Sequence, residues 1–136
     1  MDRPVRMTPS WFARRTARQA LGERSEQLAV RWLQDQGYRL CERNVRFPVG
    51  EIDIVAQEGD TLCFVEVRST SSLAWGGPLV TITPQKQQRL IRAGQWYLQR
   101  LRRIPEHVRF DVVSVEWNDA AAPRVELIRG AFEVGG

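Results

Sequence analysis

The sequence predicts an α/β domain, a mixed sheet of about five strands with helices packed on it, in the order α-β-β-β-α-β-β. Three observations predict it. Two short runs rich in β-branched and aromatic residues, Glu51 to Gln57 and Thr61 to Arg68, flank a Gly-containing turn, Glu58-Gly59-Asp60, which reads as a hairpin. Two longer stretches, around residues 21–36 and 84–103, carry apolar residues at helical spacing. Two further β-rich runs follow the second of them.

The first helix is expected from Leu21 to Gln36. Leu21, Leu28, Ala29, Trp32 and Leu33 recur at helical spacing, and Gly37 supplies the stop. At about 100° per residue Glu26 sits about 60° from Ala29, on the flank of the apolar stripe and within reach of the sheet edge. Tyr38 to Phe47 reads as a strand with polar alternation, suited to an edge. The hairpin comes next. Residues 69–82 are rich in Ser, Thr and Gly around Trp75-Gly76-Gly77-Pro78 and form a loop beside the last strand of the hairpin. Thr83-Pro84 opens the second helix, Thr as N-cap and Pro at N1. Its apolar stripe is Leu90, Ile91, Gly94, Tyr97, Leu98 and Leu101. Lys86 stands one turn before Leu90 on the same side and points inward. Val108 to Trp117 and Arg124 to Arg129 are the last two strands.

Acid groups interrupt the apolar hairpin at Asp53 and Glu66. A carboxylate buried without a partner costs several kcal/mol. Side chains alternate along a strand, so Glu66 and Arg68 share one face and Val67 takes the other. Close pairing of the strands brings Asp53 beside Glu66 and makes an oxygen-rich pocket next to a cation. Oxygen donors suit Mg²⁺ or Mn²⁺. An ordinary ion-pair cluster around Arg68 is the competing reading.

With 136 residues and 43% hydrophobic content the chain suits one domain with one core. No apolar run has the length of a membrane span or a signal peptide, so the expectation is a cytoplasmic protein without a membrane partner. Cys41 and Cys63 lack metal-site spacing and are expected as buried free thiols. The net charge of +4 is uneven. Residues 1–18 carry +4 and residues 83–103 carry +6, leaving −6 on the rest. Residues 1–18 are expected as a mobile basic arm, 19–132 as the domain and 133–136 as a loose tail. Two basic segments on an acidic body suit a polyanion partner, contacted by Arg89, Arg92 and the arm residues Arg14, Arg15 and Arg18. A homo-oligomer is left open. His107, the only histidine, has no second His or Cys to form a ligand set.

Gly50-Glu51-Ile52-Asp53-Ile54-Val55-Ala56, followed by Phe64-Val65-Glu66-Val67-Arg68, resembles the YraN family of small bacterial proteins. The resemblance continues at Gly22 to Ala29, Gln36-Gly37-Tyr38, Thr83-Pro84-Gln85-Lys86, Arg109 to Val113 and Ile128 to Phe132, covering residues 21–132 in unbroken order. It implies the restriction-endonuclease-like fold of the PD-(D/E)xK superfamily, to which archaeal Holliday-junction resolvases also belong. It also implies a metal-dependent endonuclease acting on nucleic acid, DNA rather than RNA and branched DNA in particular. Asp53 and Glu66 would bind Mg²⁺ or Mn²⁺ with the Val67 carbonyl, and Glu26 would add a ligand directly or through water. Gln85 and Lys86, at a helix start that favours anions, would help hold the scissile phosphate. The chain departs from the superfamily at Arg68, where Lys is usual, which bears on catalysis and not on fold. The alternative is a module that keeps the nuclease fold and binds nucleic acid without cutting it.

Overall fold

The computed structural model describes residues 10–70, 82–118 and 121–132. The elements are α1 (Ser10–Asp35), β1 (Arg39–Phe47), β2 (Gly50–Glu58), β3 (Thr61–Thr70), α2 (Pro84–Gln99), β4 (His107–Asn118) and β5 (Ala121–Ile128). The strands form one sheet in the order β1-β2-β3-β4-β5. β3 and β4 are parallel and every other neighbouring pair is antiparallel. The mixed α/β class and the element order are those the sequence predicts. α2 is the crossover that the parallel pair requires.

Alternation along the strands builds two cores. Ile54 and Ala56 of β2, Cys63 and Val65 of β3, and Val113 and Val115 of β4 meet Ala29, Val30 and Leu33 of α1. Val55, Leu62, Phe64 and Phe110 meet Leu90, Ile91, Ala93 and Tyr97 of α2. Both faces of the central strands are therefore covered, which is why β2 and β3 read as nearly continuous apolar runs.

Boundaries differ from the sequence reading where local chemistry overrides the pattern. α1 begins at Ser10, so residues 10–18, expected within a mobile arm, are its first turns. The segment after Pro9 holds no proline or glycine until Gly22 and can continue the helix. Residues 1–9 lie outside the described residues, as do the loop residues 71–81 with Trp75 and the tail from 133. α1 ends where Gly37 takes φ 96° and the Tyr38 N–H returns to the Leu33 carbonyl at 2.9 Å. α2 stops at Gln99 rather than near Arg103, because Pro105 disfavours helical backbone at Ile104 and the chain must turn into β4. Cys63 is buried as expected, whereas Cys41 is exposed: it lies on edge strand β1, at a shift of register between Leu40 and Glu42. No described helix is long and apolar enough to cross a membrane.

On the α1 face an ion network ties four segments together. Arg109 holds the fully buried Asp111 through Nε to Oδ1 (2.7 Å) and Nη2 to Oδ2 (2.9 Å). The same Nη2 reaches Glu58 at 2.8 Å and the Tyr38 hydroxyl at 2.9 Å. Arg129 clamps Glu58 from the other side at 3.0 and 2.7 Å, and the Gly130 N–H donates to Asp111. Both oxygens of Asp111 are satisfied, as a buried carboxylate requires. The hydrogen bonds from Arg129, with Arg109 adding to them, hold Glu58 down at about 2.

That depression has a definite sign. A carboxylate whose folded pKa is lowered contributes stability above its ordinary value, and the contribution disappears as pH falls through the folded one. Urea midpoints should therefore drop as pH falls from 4.5 towards 2, and Glu58→Gln should remove part of that slope. An unchanged slope in the variant would contradict the clamp.

Two helical glycines give opposite expectations. A Cβ on Gly94 would lie 2.9 Å from the Phe110 ring and 3.1 Å from Phe64, whereas Gly22 has nothing within 4 Å. Gly94→Val should destabilise by about 2 kcal/mol or more through overpacking. Gly22→Ala should stabilise by about 0.5–1 kcal/mol. Denaturant titration reads both.

Candidate functional site

β2 and β3 are in antiparallel register from Glu58↔Thr61 to Ile54↔Val65. Beyond that pair the sheet forks. β3 keeps its parallel partner β4 as far as Thr70↔Glu116, and β2 keeps β1 as far as Phe47↔Gly50. A backbone amide facing such a fork still needs an acceptor. The Asp53 carboxylate supplies one, taking the Val67 N–H on Oδ2 at 2.8 Å.

β2 turns over at this point. Ile52 and Ile54 would share a face in a regular strand, yet Ile54 packs in the α1-side core and Ile52 in the α2-side core. On β1, Asn44 takes φ 53°, between the pairs Arg43↔Ile54 and Val45↔Ile52. Asn tolerates that conformation better than most residues. Asp53 is thereby freed from strict alternation and addresses groups on both sides of the sheet.

On the α2 side its neighbour is Glu66, which is 5% exposed. Each carboxyl is a hydrogen-bond partner of the other, the bond favouring the charged form of Asp53 and the neutral form of Glu66. Burial, then the Asp53 charge, pushes the Glu66 carboxyl up to about 8, against the pull of Lys86 and Arg68. Burial also raises Asp53, although the Val67 N–H and Glu66 hold it down. Lys86 Nζ lies 3.6 Å and Arg68 Nη1 3.8 Å from Glu66 Oε1. These are charge contacts beyond hydrogen-bond length. Thr83 Oγ1 accepts the Lys86 N–H at 3.1 Å, which fixes the start of α2 and so the base of the lysine.

On the α1 side Asp53 looks towards Glu26. Burial raises the Glu26 pKa first and the Asp53 charge adds to it. Arg43 answers that charge at 3.3 Å. Glu26, Arg43 and Asp53 line an open cleft of about 760 Å³ between α1 and the β1–β2 edge, together with Glu23, Asn44 and Glu51. Its volume falls in the range of small-molecule and substrate clefts.

The sequence-derived residues thus divide. Asp53, Glu66, Arg68, Lys86 and the Val67 backbone meet at the fork, and Glu26 faces Asp53 across the cleft. The three carboxylates do not close on one centre. Among the described residues the one group of three metal-ligating side chains with donor atoms mutually within 4.8 Å is Asp60, Glu106 and His107, exposed at the far end of the sheet. Glu66 is buried and Asp53 partly so, and burial raises both carboxyls, which makes them the chemically loaded set. Gln85, Arg89 and Arg92 are exposed on α2. Arg14, Arg15 and Arg18 lie on α1 with side chains outside the described ones. The partner that the sequence reading missed is Arg43. Its signal was its place on the edge strand, pairing with Ile54 next to Asp53.

The family model described as "Uncharacterised protein family UPF0102" matches residues 25–115, a span holding Glu26, Asp53, Glu66, Arg68 and Lys86. The chain belongs to the UPF0102 family. It is 49% identical over 126 residues to a UPF0102 protein of Herminiimonas arsenicoxydans, covering 92% of this chain and 97% of that one. It is 45% identical over 116 residues to one of Desulfosudis oleivorans (85% and 92%) and 46% identical over 112 residues to one of Symbiobacterium thermophilum (82% and 95%). These relatives match the chain nearly end to end, so the fork belongs to the body of a UPF0102 protein and not to an appended segment.

The raised Glu66 carboxyl fixes a second pH dependence for this UPF0102 chain, opposite in sign to that of Glu58. A group whose folded pKa is raised contributes stability below its ordinary value, and the contribution is lost as pH rises through the folded one. Without divalent cations, stability should fall between pH 4.5 and about 8, and Glu66→Gln should flatten that fall. Denaturant midpoints in EDTA across this range measure it; an equal slope in the variant would refute the assignment.

Proposed function

We propose that the protein is a metal-dependent endonuclease of the restriction-endonuclease-like PD-(D/E)xK superfamily, hydrolysing phosphodiester bonds in DNA, branched DNA included. The observation that carries the reading is the fork itself, where Asp53 holds the Val67 N–H at 2.8 Å beside the buried Glu66 carboxyl.

The donor set fits a hard divalent cation. It consists of oxygen atoms, and two adjacent carboxyls whose pKa values burial raises are stabilised as anions by an added positive charge. Asp53, Glu66 and the Val67 carbonyl would hold Mg²⁺ or Mn²⁺, with Glu26 reaching it directly or through water. When bound, such an ion acidifies water and stabilises negative charge on the phosphate.

The rest of the work falls to side chains of this chain. Arg68 stands where the superfamily usually has Lys. A guanidinium stays protonated at working pH, so Arg68 stabilises charge and does not take a proton. Lys86 places an ammonium 3.6 Å from Glu66 at the N-terminus of α2, where amide dipoles favour a phosphate, and Gln85 adds an exposed amide beside it. Arg89 and Arg92, with Arg14, Arg15 and Arg18 of α1, provide cations for the nucleic-acid backbone. Arg43 restrains Glu26 and tunes its charge.

One observation favours a binding module that does not cut: both cations beside Glu66 offset its charge without an added ion, and one of them is Arg. Turnover separates the two readings. Labelled branched, single-stranded and duplex DNA incubated with Mn²⁺ should be cleaved, and EDTA, Asp53→Asn or Glu66→Gln should abolish cleavage. Arg68→Lys should keep or raise the rate, and Arg68→Ala should lower it about 10²-fold, the scale of losing one charge-stabilising group. Absence of cleavage of every substrate by wild type and Arg68→Lys alike would leave the binding module standing.

A further inference from the structure

The cationic segment of α2 is not a uniform arginine surface. Arg89, Arg92, Trp96 and Arg100 recur at three- and four-residue spacing and form one stripe along the exposed side of the helix, beside β1. Trp96 is 43% exposed in the middle of it, one of three large hydrophobic side chains exposed among the described residues. Phe47, at the end of β1, supports its ring with centroids 5.8 Å apart, and Arg100 lies 5.6 Å from the Phe47 centroid.

The stripe has a built support. A Cβ at Gly50 would come within 2.8 Å of the Arg89 carbonyl, so the start of β2 lies directly on the α2 backbone. That contact sets the β1–β2 turn, and with it Phe47, against the helix. The acid on this side, Glu42, faces Arg100 at 3.9 Å. Arg89 and Arg92 have no acid within ion-pair distance among the described residues and are the cations offered to a partner.

We propose that this stripe binds unpaired nucleotides, one base stacking on Trp96 while Arg89 and Arg92 hold the adjoining phosphates. The inference rests on the nucleic-acid reading above and adds which form of nucleic acid the site takes. An aromatic face between cations is the device by which proteins hold single strands, since every base has a π face and every nucleotide a charge. Duplex DNA buries its base faces in the stack and cannot use the Trp96 ring without unstacking. Trp96 lies about 15 Å along the axis from Lys86, so the stripe leads a strand away from the fork. An unpaired flank would thereby seat next to the carboxylates.

The test measures binding in EDTA, so that it does not depend on cleavage. Fluorescence anisotropy of the full chain is recorded with a labelled oligothymidylate and with a labelled duplex of equal length. Wild type should bind the oligothymidylate more tightly. Trp96→Ala should weaken that complex about tenfold or more and leave the duplex complex unchanged. Trp96→Phe should retain most of the affinity, and Arg92→Ala should weaken both complexes. Circular dichroism checks that the variants fold. Trp96→Ala binding like wild type, or weakening both probes equally, overturns the stacking role. Wild type that binds duplex alone overturns the inference and leaves the nucleic-acid reading intact. Wild type that binds neither probe overturns both.

Discussion

The hydrogen bond from the Val67 N–H to Asp53 is the constraint on which the site depends. It stands where a backbone bond between β2 and β3 would otherwise stand. Because a carboxylate takes that place, the two central strands separate without leaving the Val67 amide unsatisfied. The separation brings Asp53 out of the core pattern, lets β2 turn over between Ile54 and Ile52, and opens the sheet beside Glu66. A bond that closes a β-ladder in most sheets here holds a carboxylate in a fixed position, with its second oxygen left for other partners.

Comparison of the two most buried acids shows how differently the fold treats them. Asp111 has no exposed side-chain surface, but two arginine nitrogens, the Tyr38 hydroxyl and the Gly130 amide all donate to it. It is a closed network that stabilises the sheet. Glu66 is nearly as buried, yet its neighbours are another carboxyl and two cations beyond hydrogen-bond length. Burial beside a second carboxyl is what raises the Glu66 pKa, and a perturbed acid of that kind is a candidate for chemistry.

The fold was legible because its signals are local. The turn at Glu58-Gly59-Asp60, the Thr83-Pro84 helix opening and the periodicity of Leu90, Ile91 and Tyr97 each act within a few residues. The pairing of Asp53 with Glu66 was also legible, since two acids in apolar strands demand a shared reason. What escaped the sequence is set by tertiary geometry. The fork at Ile54↔Val65 breaks alternation, and no pattern of period two announces where a ladder stops. Arg43 meets Glu26 across a helix–strand contact, and Arg109 meets Asp111, Glu58 and Tyr38 through the fold, although each lies in a segment that the family resemblance had marked or adjoined. Cys41 looked like a core thiol because its exposure follows from an irregularity in β1.

The composition bears on how the two cations at the fork divide their work. Of 20 basic residues, 19 are Arg, and the single Lys is Lys86. If the site needed only positive charge there, Arg would serve, as it does everywhere else in the chain. A guanidinium is planar, broad and permanently protonated, whereas an ammonium is a compact point charge whose proton can leave when it is desolvated. Lys86 sits where those properties count, half-buried at the capped start of α2 and 3.6 Å from a buried carboxyl. Arg68 approaches the same oxygen from within β3 at 3.8 Å. On the proposed nuclease reading, the lysine that the superfamily usually places on the strand has its counterpart on the helix, with Arg68 as fixed charge. On that reading the arginine at position 68 does not count against catalysis, because the compact ammonium of Lys86 reaches Glu66 from the helix wall.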